Sequence, residues 1–484
     1  MNAVQPVLNF GLRRPASPAL IEGSRTITYG ELAERVRRTA SHLSDTGLGP
    51  GDRIGLCLKD SADHVIALLA MGYLGAVAVP LDWRATPAET AGFVGELDLT
   101  AVLMEPDSPA LGGAPAIVVD DGWRAQVAAA GATLAPHAGG ADMFVISATS
   151  GSTGRPKFTS MSHWQYYFGV TGMLELMGLS GRHRFLCSMP LYYSGGRNSC
   201  VTHLLRGDCV VLYPSLFSPV EYVEAIDRHQ ITVVGVSPST VRQLLAIAGE
   251  TPLLPNLALL FSTGAPLFAE EKRQAARRLS RNFHERYGTA ETMAISTLRP
   301  TDFADRPDSV GQPHSLAEID VVDDEDRPLP AGETGRLRFR GPGLGSPLGP
   351  AAAANFKDGW YVPGETARLD GVGYIFLQGR TSDVIMRGGA KVYPAEVEAV
   401  LSEHAAVAEV AVVGVAGADN EEMVVAFVKR RAAVTAGALL AHCRSRLSPH
   451  KAPRRFYFVD QFPRNTAGKI DKLALAASVQ RPAS

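Results

Sequence analysis

The sequence of 484 residues lacks several features that would assign a protein to a class at once. Lysine and arginine (47) nearly balance aspartate and glutamate (49), so the formal net charge is only −2 and nothing indicates a nucleic-acid partner. No apolar run reaches about 18 residues, so we expect no membrane span. The five cysteines are scattered, odd in number and without a C-x-x-C pair, which argues against a disulfide or zinc framework. Because the amino terminus has no signal-peptide pattern, we predict a cytoplasmic protein.

Segments typical of strands and helices alternate along most of the chain, beginning with "RIGLCL" and "ADHVIALLAMGYLG". This alternation predicts parallel sheets covered by helices, with ligands at the carboxyl ends of the strands. After about residue 315, segments rich in Pro, Gly and Asp indicate strands joined by hairpin turns. Within them "LGSPLGPAAAANF" has the low complexity of a surface loop. A last strand-and-helix unit begins near Gly379 and is long enough for a small separate α/β domain.

The stretch from Ser147 to His163, "SATSGSTGRPKFTSMSH", concentrates hydroxyls and glycines before one lysine, Lys157. Small residues let successive backbone N–H groups turn inward around an anion, and the lysine adds a point charge suited to phosphate. The spacing differs from the common phosphate loop, in which the lysine follows a glycine directly. A flexible Gly/Ser linker is an equally good interpretation of the composition alone.

Three later stretches have the composition of a nucleotide site. "YGTAET" offers an aromatic ring and an acid, Glu291, that could hold Mg²⁺ beside a triphosphate. "GWYVPGETARLDGVGYIFLQGR" places Glu365 and Arg380 on a strand pair, where an acid could bind ribose hydroxyls. "PRNTAGKIDK" presents Lys469 in a turn. Their plain alternatives are a turn, a solvated hairpin and a solvated lysine, so their order along the chain carries the information.

Taken in their order along the chain, these segments resemble the motifs of the adenylate-forming superfamily. This superfamily includes acyl-CoA synthetases, peptide-synthetase adenylation domains and beetle luciferases. The resemblance covers nearly the whole chain through "TYGELAERV", "GPGDRIGLCL", "GYLGAVAVPLD", "TSGSTGRPK", "MPLYYSGG", "STGAPL", "ERYGTAET", "GWYVPGETARLDGVGYI", "QGRTSDVIMRGGAKVYPAEVE" and "PRNTAGKIDK". It implies an α/β fold with a large N-terminal domain of stacked α/β sheets, residues 1–380, including a β-rich subdomain at about 315–380. A small mobile C-terminal α+β domain, residues 381–484, would rotate over the cleft, with Ser382 at the hinge.

The resemblance also implies roles for residues at the matching positions. Lys469, Glu291 and Lys157 would be catalytic, and Glu291 would be the Mg²⁺ ligand. ATP and the adenylate would contact Thr149, Ser150, Gly151, Ser152, Thr153, Gly264, Ala265, Pro266, Tyr287, Gly288, Thr289, Glu365 and Arg380. The acyl pocket would be lined by Tyr193 as a gate and by Ser194, Gly195, Val236, Thr263, Arg286 and Met293, and the coenzyme A tunnel by Gly388 and Gly389.

The implied chemistry has two halves, which use ATP, Mg²⁺ and CoA. A carboxylic acid attacks the α-phosphate of ATP to give an acyl-adenylate and pyrophosphate, and a thiolate then displaces AMP. The implied partners are therefore small molecules, and the sequence leaves the identity of the acid open. It also leaves open a separate adenylating enzyme, or a carrier protein as the source of the thiol.

Several positions depart from the superfamily pattern, mostly in the adenylating half. Ala290 stands where the pattern has a threonine that touches the α-phosphate, and Glu365 where it has aspartate. Phe158 replaces the glycine after the loop lysine, Ser382 replaces a hinge aspartate or lysine, and Tyr193 stands where many ligases have histidine. Drift within a working synthetase explains these changes. Two alternatives are an enzyme that only thioesterifies a preformed acyl-adenylate, and a non-enzymatic sensor of acyl-adenylate or acyl-CoA.

Arg286 is the residue that gives the most direct indication of which carboxylic acid is the substrate. It precedes Tyr287 in "ERYG", a version similar to that of malonyl-CoA synthetases, and arginine suits bidentate contact with a second carboxylate. The alternative interpretation is a surface arginine paired with its neighbour, Glu285.

Overall fold

The computed structural model describes residues 1–108, 113–150, 156–214, 217–387, 390–416, 422–464 and 470–480. In chain order its strands are β1 (Pro18–Glu22), β2 (Arg25–Thr28), β3 (Arg53–Cys57), β4 (Val77–Pro80), β5 (Ala101–Met104), β6 (Ala116–Val118), β7 (Met143–Ser150), β8 (Pro156–Ser162), β9 (Arg184–Cys187), β10 (Cys209–Leu212), β11 (Val233–Val236), β12 (Leu259–Ser262), β13 (Phe283–Thr289), β14 (Met293–Leu298), β15 (Gln312–Pro313), β16 (Glu318–Val322), β17 (Gly335–Arg340), β18 (Ser346–Leu348), β19 (Phe356–Lys357), β20 (Trp360–Tyr361), β21 (Glu365–Leu369), β22 (Ile375–Arg380), β23 (Ile385–Arg387), β24 (Ala390–Val392), β25 (Val407–Ala416), β26 (Glu422–Arg430) and β27 (Arg455–Phe458).

The helices lie between these strands for most of the chain. They are α1 (Gln5–Arg13), α2 (Tyr29–Asp45), α3 (Ala62–Leu74), α4 (Pro87–Leu97), α5 (Asp121–Ala129), α6 (His163–Met177), α7 (Ser194–Arg206), α8 (Pro219–Arg228), α9 (Pro238–Ile247), α10 (Ala269–Arg278), α11 (Pro350–Ala353), α12 (Pro394–Ser402), α13 (Ala436–Arg444) and α14 (Lys472–Gln480). The alternation predicted from the sequence is confirmed.

A nine-stranded sheet, ordered β15-β14-β13-β12-β11-β9-β10-β1-β2, forms the first layer. The strands from β13 to β1 run parallel, and every residue of β10, β11 and β12 is buried because helices cover both faces of the sheet. Parallel strands end at the same edge. This edge carries Val236, Thr263 and Thr289, so the predicted site residues of three strands lie side by side.

A seven-stranded sheet, ordered β18-β8-β7-β4-β3-β5-β6, forms the second layer. Its centre is parallel, whereas β7, β8 and β18 pair antiparallel at one side. One large apolar cluster joins the two sheets and includes Phe144, Tyr166, Phe185 and Phe261. The cleft between the layers is therefore built on a shared core.

Local sequence signals explain where several of these helices begin and end. Thr28 caps α2 by accepting a hydrogen bond from the N–H of Glu31, whose side chain bonds back in a capping box. Ser162 caps α6 in the same way with Gln165. Gly75 ends α3 at a φ of 87°, a left-handed conformation that favours glycine.

The segment that reads as a low-complexity surface loop is ordered, so that interpretation was wrong. Its first part forms β18, which pairs with β8, and its alanines form the short helix α11. The hydrogen-bonding partner, β8, lies far away in the sequence, so no local pattern reveals the pairing. The segment therefore belongs to the sheet that carries Lys157.

The strands β16, β17 and β19–β22 form an antiparallel sheet between residues 318 and 380. Tyr287, from β13, packs into the core of this sheet beside Phe339 and Tyr361. The β-rich sheet is thereby fixed against the face of β13 that carries Tyr287.

The last part of the chain has its own core. A three-stranded sheet of β25, β26 and β27 is covered on its two faces by separate apolar clusters, which also contain residues of α12, α13 and α14. Phe268, at the start of α10, packs against one of these clusters. The predicted α/β class, with a large N-terminal part and a smaller C-terminal α+β part, is confirmed. The predicted boundary between residues 380 and 381 stays a prediction.

Two expectations from composition can be compared with the fold directly. None of the helices in the described part of the chain combines the length and apolarity needed to cross a membrane. All five cysteines are buried free thiols.

Candidate active site

The predicted phosphate loop connects two strands of an antiparallel hairpin. In this hairpin β7 pairs with β8, and Thr149 lies opposite Lys157. The Lys157 ammonium donates a hydrogen bond to Oδ1 of Asn355 at 3.0 Å. Residues 151–155 lie outside the described residues, so the predictions for Gly151, Ser152 and Thr153 stay predictions.

Phe158 does not occupy the side of the hairpin on which Lys157 lies. Successive residues of a strand point to opposite faces. The Phe158 ring is buried in the core beneath the hairpin, where it meets Phe93 edge-on with 5.6 Å between ring centroids. Phenylalanine in place of glycine therefore adds packing beneath the hairpin, on the face opposite Lys157.

The predicted adenine and ribose residues meet at one corner of the cleft. The Tyr287 hydroxyl donates a hydrogen bond to Oε2 of Glu365, which links β13 to β21. Arg380 lies opposite Glu365 in the β21–β22 register. Burial and the neighbouring carboxylate of Glu365 raise the pKa of Tyr287, so this phenol is a firm proton donor. Gly264 follows β12 at a φ of 97° and has open space beside it, as a pocket lining requires.

The turn between β13 and β14 holds Glu291. The Thr289 N–H donates to Oγ1 of Thr292 at 3.1 Å, and the Gly345 N–H donates to the Glu291 carbonyl at 2.7 Å. Gly288 has no room for a side chain, because an added Cβ would lie 1.8 Å from the Met293 carbonyl oxygen. The turn is thus held on both sides, and Glu291 is 7% exposed.

Gly345 also connects the Glu291 turn to the phosphate hairpin. A Cβ added at Gly345 would lie 2.6 Å from the Thr159 side chain and 3.2 Å from the Glu291 carbonyl oxygen. Strand β8 and the Glu291 turn are therefore separated by the width of one glycine. This close approach places the Glu291 turn beside β8, the strand that carries Lys157.

A single carboxylate at this position fits a magnesium ion that arrives with its nucleotide. Among the described residues no group of three His, Cys, Asp or Glu side chains could hold a metal by protein ligands alone. Magnesium usually takes one or two carboxylates together with substrate phosphates, and Glu291 meets that requirement.

The predicted acyl-pocket residues surround the start of α7 and the ends of the parallel strands. Tyr193 precedes α7 and is 40% exposed, as a gate requires, and an added Cβ at Gly195 would touch its ring. The Thr263 N–H donates to the Val236 carbonyl, which joins two predicted lining residues. Met293 is buried and its sulfur packs against α6 at Gly169. Ser194 begins α7.

Arg286 is not the exposed arginine that one interpretation of the sequence expected. It is 3% exposed, and its guanidinium carbon lies 3.8 Å above the centre of the Phe261 ring. Glu285 points to the opposite face and forms an ion pair with Lys272 at 2.5 Å. The pairing of Arg286 with Glu285 was therefore wrong, because neighbours on a strand face opposite ways.

Sequence reasoning missed three residues of this region. Asn355 binds Lys157, and the Tyr361 hydroxyl lies within hydrogen-bonding reach of Thr289 and Glu291. Arg197, in the first turns of α7, is fully buried and donates to Oγ of Ser147 at 2.6 Å. Arginine directly after the "YYSGG" segment was a visible signal.

Burial shifts the pKa values of Arg197 and Tyr361 but leaves both residues in their usual protonation states at neutral pH. It lowers the pKa of Arg197 to about 10, which leaves the guanidinium charged at neutral pH. It also raises the pKa of Tyr361, and the adjacent Glu291 raises it further. The site therefore combines a permanent cation beneath β7 with a neutral phenol beside Glu291.

The C-terminal predictions fall partly on described residues. Ser382 lies in a short 3-10 turn, Thr381–Asp383, that follows β22, and its hydroxyl donates to Oδ1 of Asp383 at 3.0 Å. Strands β23 and β24 pair antiparallel, with Arg387 opposite Ala390. Gly388, Gly389 and Lys469 lie outside the described residues, and their roles stay predictions.

The sequence comparisons assign this two-layered α/β fold to a class of enzymes. The sequence profile of the family described as AMP-binding enzyme matches residues 10–347, and that of the AMP-binding enzyme C-terminal domain matches residues 396–469. The chain belongs to the AMP-binding enzyme family, and it is an acid–thiol ligase.

Three known proteins illustrate the similarity. The indoleacetate–CoA ligase of Aromatoleum aromaticum is 29% identical, over 95% of this chain and 94% of that protein. The 2-succinylbenzoate–CoA ligase of Bacillus licheniformis is 30% identical, over 94% of this chain and 96% of that protein. The crystal structure of ATP-bound MatB from Rhodopseudomonas palustris superposes with a TM-score of 0.89 at 26% identity, covering 99% of each chain.

Proposed function

We propose that this protein is an AMP-forming acyl-CoA synthetase that carries out both halves of its reaction. The observation that best supports this is the hydrogen bond between Tyr287 and Glu365, which joins the adenine side of the cleft to its ribose side. The similar ligases are named for CoA and for two unlike acids, indoleacetate and 2-succinylbenzoate. They therefore support CoA as the thiol substrate but do not identify the acid substrate of this protein.

In the proposed adenylation, the carboxylate oxygen of the acid bonds to the α-phosphorus and pyrophosphate leaves. Lys157 and the hydroxyls of the hairpin loop bind the phosphates, and Tyr287 packs on the adenine. Glu365 and Arg380 hold the ribose. Bound at Glu291, Mg²⁺ would neutralise phosphate charge. The protein contributes mainly position and positive charge, which is what phosphoryl chemistry requires.

In the proposed thioesterification, the thiolate of CoA bonds to the acyl carbon and AMP leaves with its bridging oxygen. The smaller C-terminal part would rotate about Ser382 between the two steps, which lets one cleft serve both. Lys469 would act in the first step, and Gly388 and Gly389 would line the tunnel in the second. Tyr193 to Gly195, Val236, Thr263 and Met293 would surround the acyl group.

Two incubations test this proposal side by side, with acyl-CoA and AMP measured by mass spectrometry. One contains a pool of carboxylic acids with ATP, Mg²⁺ and CoA, and the other contains synthetic acyl-adenylates with CoA alone. We expect acyl-CoA in both. Product only from the adenylates would leave a thioesterifying enzyme, and product from neither would contradict the proposal.

A pair of lysine variants sharpens the same experiment. Lys157→Met should lower adenylation by about 100-fold or more, because it removes a charge from the phosphates, and should spare thiolysis of the synthetic adenylate. Lys59 is a partly exposed lysine paired with Asp107. Lys59→Met should change neither reaction. Equal effects of the two variants would show that Lys157 does not bind phosphate.

A further inference from the structure

Arg197 lies near the start of α7, between the phosphate hairpin and the predicted acyl gate. Its Nη2 atom donates a hydrogen bond to Oγ of Ser147 at 2.6 Å, and its Nη1 atom donates to the Tyr192 carbonyl at 3.0 Å. Ser147 belongs to β7, two residues before Thr149. Tyr192 directly precedes Tyr193, the predicted gate. The Ser147–Arg197–Tyr192 link therefore joins the strand that leads into the phosphate loop to the segment that carries the gate.

The gate segment, residues 189–193, is also held against α7 by its backbone. The Arg197 N–H donates to the Tyr193 carbonyl at 3.0 Å. Gly196 leaves no space between the helix and this segment, because an added Cβ would lie 2.3 Å from the Pro190 carbonyl oxygen. A displacement of the start of α7 would therefore displace the gate as well.

The central member of this link is a buried cation. Arg197 is 2% exposed, and among the described residues no carboxylate pairs with it. Its Nε atom is buried and has no hydrogen-bond partner in the described part of the chain. Two hydrogen bonds to neutral acceptors offset only part of the cost of removing a guanidinium from water. An apolar side chain of similar length would serve packing as well, so the two bonds point to a role in the site.

Adenylation joins two groups that bind separately, so their alignment matters. The carboxylate of the acid must approach the α-phosphorus in line, and a displacement of about 1 Å can cost about 100-fold in rate. In the proposed function the acid lies beside Tyr193, and the phosphates lie at Lys157 and the loop that follows β7. A side chain that fixes the distance between these two subsites affects this step directly. In thiolysis the acyl group and the phosphate already belong to one molecule, so a covalent bond sets their alignment.

We propose that Arg197 is a positioning residue that holds the phosphate hairpin and the acyl gate in the alignment that adenylation requires. The inference rests on the proposed function, which assigns the acid to the gate and the phosphates to the hairpin. Arg197 would act through Ser147 and the Tyr192 carbonyl, without contact with the reacting atoms. Its loss should therefore lower kcat for adenylation more than it weakens the binding of either substrate.

The ratio of the two half-reactions tests the proposal. With the best acid of the pooled incubation, Arg197→Met should lower kcat for pyrophosphate release by about 100-fold and change the KM for ATP and for the acid by about threefold or less. Thiolysis of the synthetic acyl-adenylate should fall by about threefold or less. Arg197→Lys keeps a charged donor and should retain part of the adenylation rate. Equal losses in the two half-reactions would overturn the inference.

Ser147→Ala breaks the same link from its other end, at a partly exposed residue. Alone, it should lower kcat for adenylation by about three- to tenfold. Combined with Arg197→Met, it should cost about twofold or less beyond Arg197→Met, because the hydrogen bond is already absent. Losses that multiply in the double variant would show that the two residues do not act through this bond, and would contradict the inference.

Arg206, at the other end of the same helix, provides a matched control. It donates to Oδ1 of the buried Asp208 at 2.6 Å and to the Leu179 carbonyl at 2.9 Å. Arg206→Met breaks a charge pair and should lower the melting temperature by about 2–6 °C without changing the ratio of the half-reactions. Arg197→Met should melt within about 2 °C of the wild type or above it, because no charged partner is lost. A fall as large as that of Arg206→Met, with both half-reactions lost, would make Arg197 a structural residue.

Hydrogen exchange distinguishes this inference from the proposed function. The probe is α,β-methylene-ATP with Mg²⁺, which carries the phosphates and needs no acid. In the wild-type protein we expect it to slow exchange of the amides of residues 189–193 by about threefold or more, and in Arg197→Met to slow exchange only in the hairpin. If no acid gives acyl-CoA but this difference persists, the proposed function fails and the link stands. Exchange at the gate that nucleotide leaves unchanged in the wild type, or slows equally in both proteins, would overturn the inference.

Discussion

The substitution Ala290→Thr should increase the rate of adenylation. In the superfamily pattern a threonine at this position touches the α-phosphate, and this chain has alanine. Its neighbour Thr289 already shares a hydrogen bond with Oγ1 of Thr292 at 3.1 Å. Ala290 itself is half-buried in the turn that follows β13.

The expected gain follows from the strength of one hydrogen bond to a charged group. Such a bond contributes about 1.5–3 kcal/mol, and each 1.36 kcal/mol in the barrier changes a rate by about tenfold. If the contact forms only in the transition state, Ala290→Thr should raise kcat for adenylation by about 10- to 100-fold. Thiolysis of a synthetic acyl-adenylate should not change, because no bond to the α-phosphate of ATP is made in that step.

The assay is pyrophosphate release in the first turnover, with acid and ATP at saturation. Ala290→Val is the matched control, since valine has the branched shape of threonine without the hydroxyl. We expect a gain for threonine and none for valine. Equal rates for the two variants, or a gain that extends to thiolysis, would refute the reasoning.

Three further predictions address binding, catalysis and stability. Tyr287→Phe removes the hydroxyl that holds Glu365 and should raise the KM for ATP by about tenfold or more with little change in KM for the acid; an unchanged KM for ATP would contradict the role of this pair. Asn355→Ala should lower adenylation by about three- to tenfold, less than Lys157→Met, because it removes one hydrogen bond to the lysine and leaves its charge in place. An effect as large as that of Lys157→Met would contradict this role of Asn355. Burial lowers the pKa of His64 to about 4. The unfolded chain therefore binds this proton more tightly than the folded protein does. The contribution of neutral His64 to the free energy of unfolding is fully present above pH 6.5 and is lost as the pH falls toward 4. Protonation linked to His64 should lower the free energy of unfolding by about 2 kcal/mol between neutral pH and pH 5, as measured by urea unfolding. His64→Gln should weaken this pH dependence of stability. The same pH dependence in the variant and in the wild type would exclude His64 as its source.

Much of the fold was predictable because its signals are local. Alternating apolar segments marked the parallel sheets, and Thr28 and Gly75 marked the ends of helices α2 and α3. The order of the segments along the chain revealed the resemblance to a known family, and that resemblance implied the adenine and ribose roles of Tyr287 and Glu365. The structure brings these two residues into contact.

The remaining features depend on pairs of residues that are distant in the sequence. Asn355 lies in a segment whose composition reads as a loop, and only the pairing of β18 with β8 brings it to Lys157. The burial of Phe158 likewise follows from the core beneath the hairpin. Arg286 is different, because alternation along β13 already separates it from Glu285. That no described residue pairs with its guanidinium, however, becomes visible only when every neighbouring element is in place.

The transfer of a carboxylate oxygen tests the central claim most directly. The best acid from the pooled reaction is labelled with ¹⁸O in its carboxylate and incubated with ATP, Mg²⁺ and CoA. If an acyl-adenylate forms and CoA then attacks the acyl carbon, the AMP keeps the bridging oxygen and should carry one ¹⁸O. Unlabelled AMP, or ¹⁸O in inorganic phosphate with ADP as the nucleotide product, would contradict an acyl-adenylate intermediate.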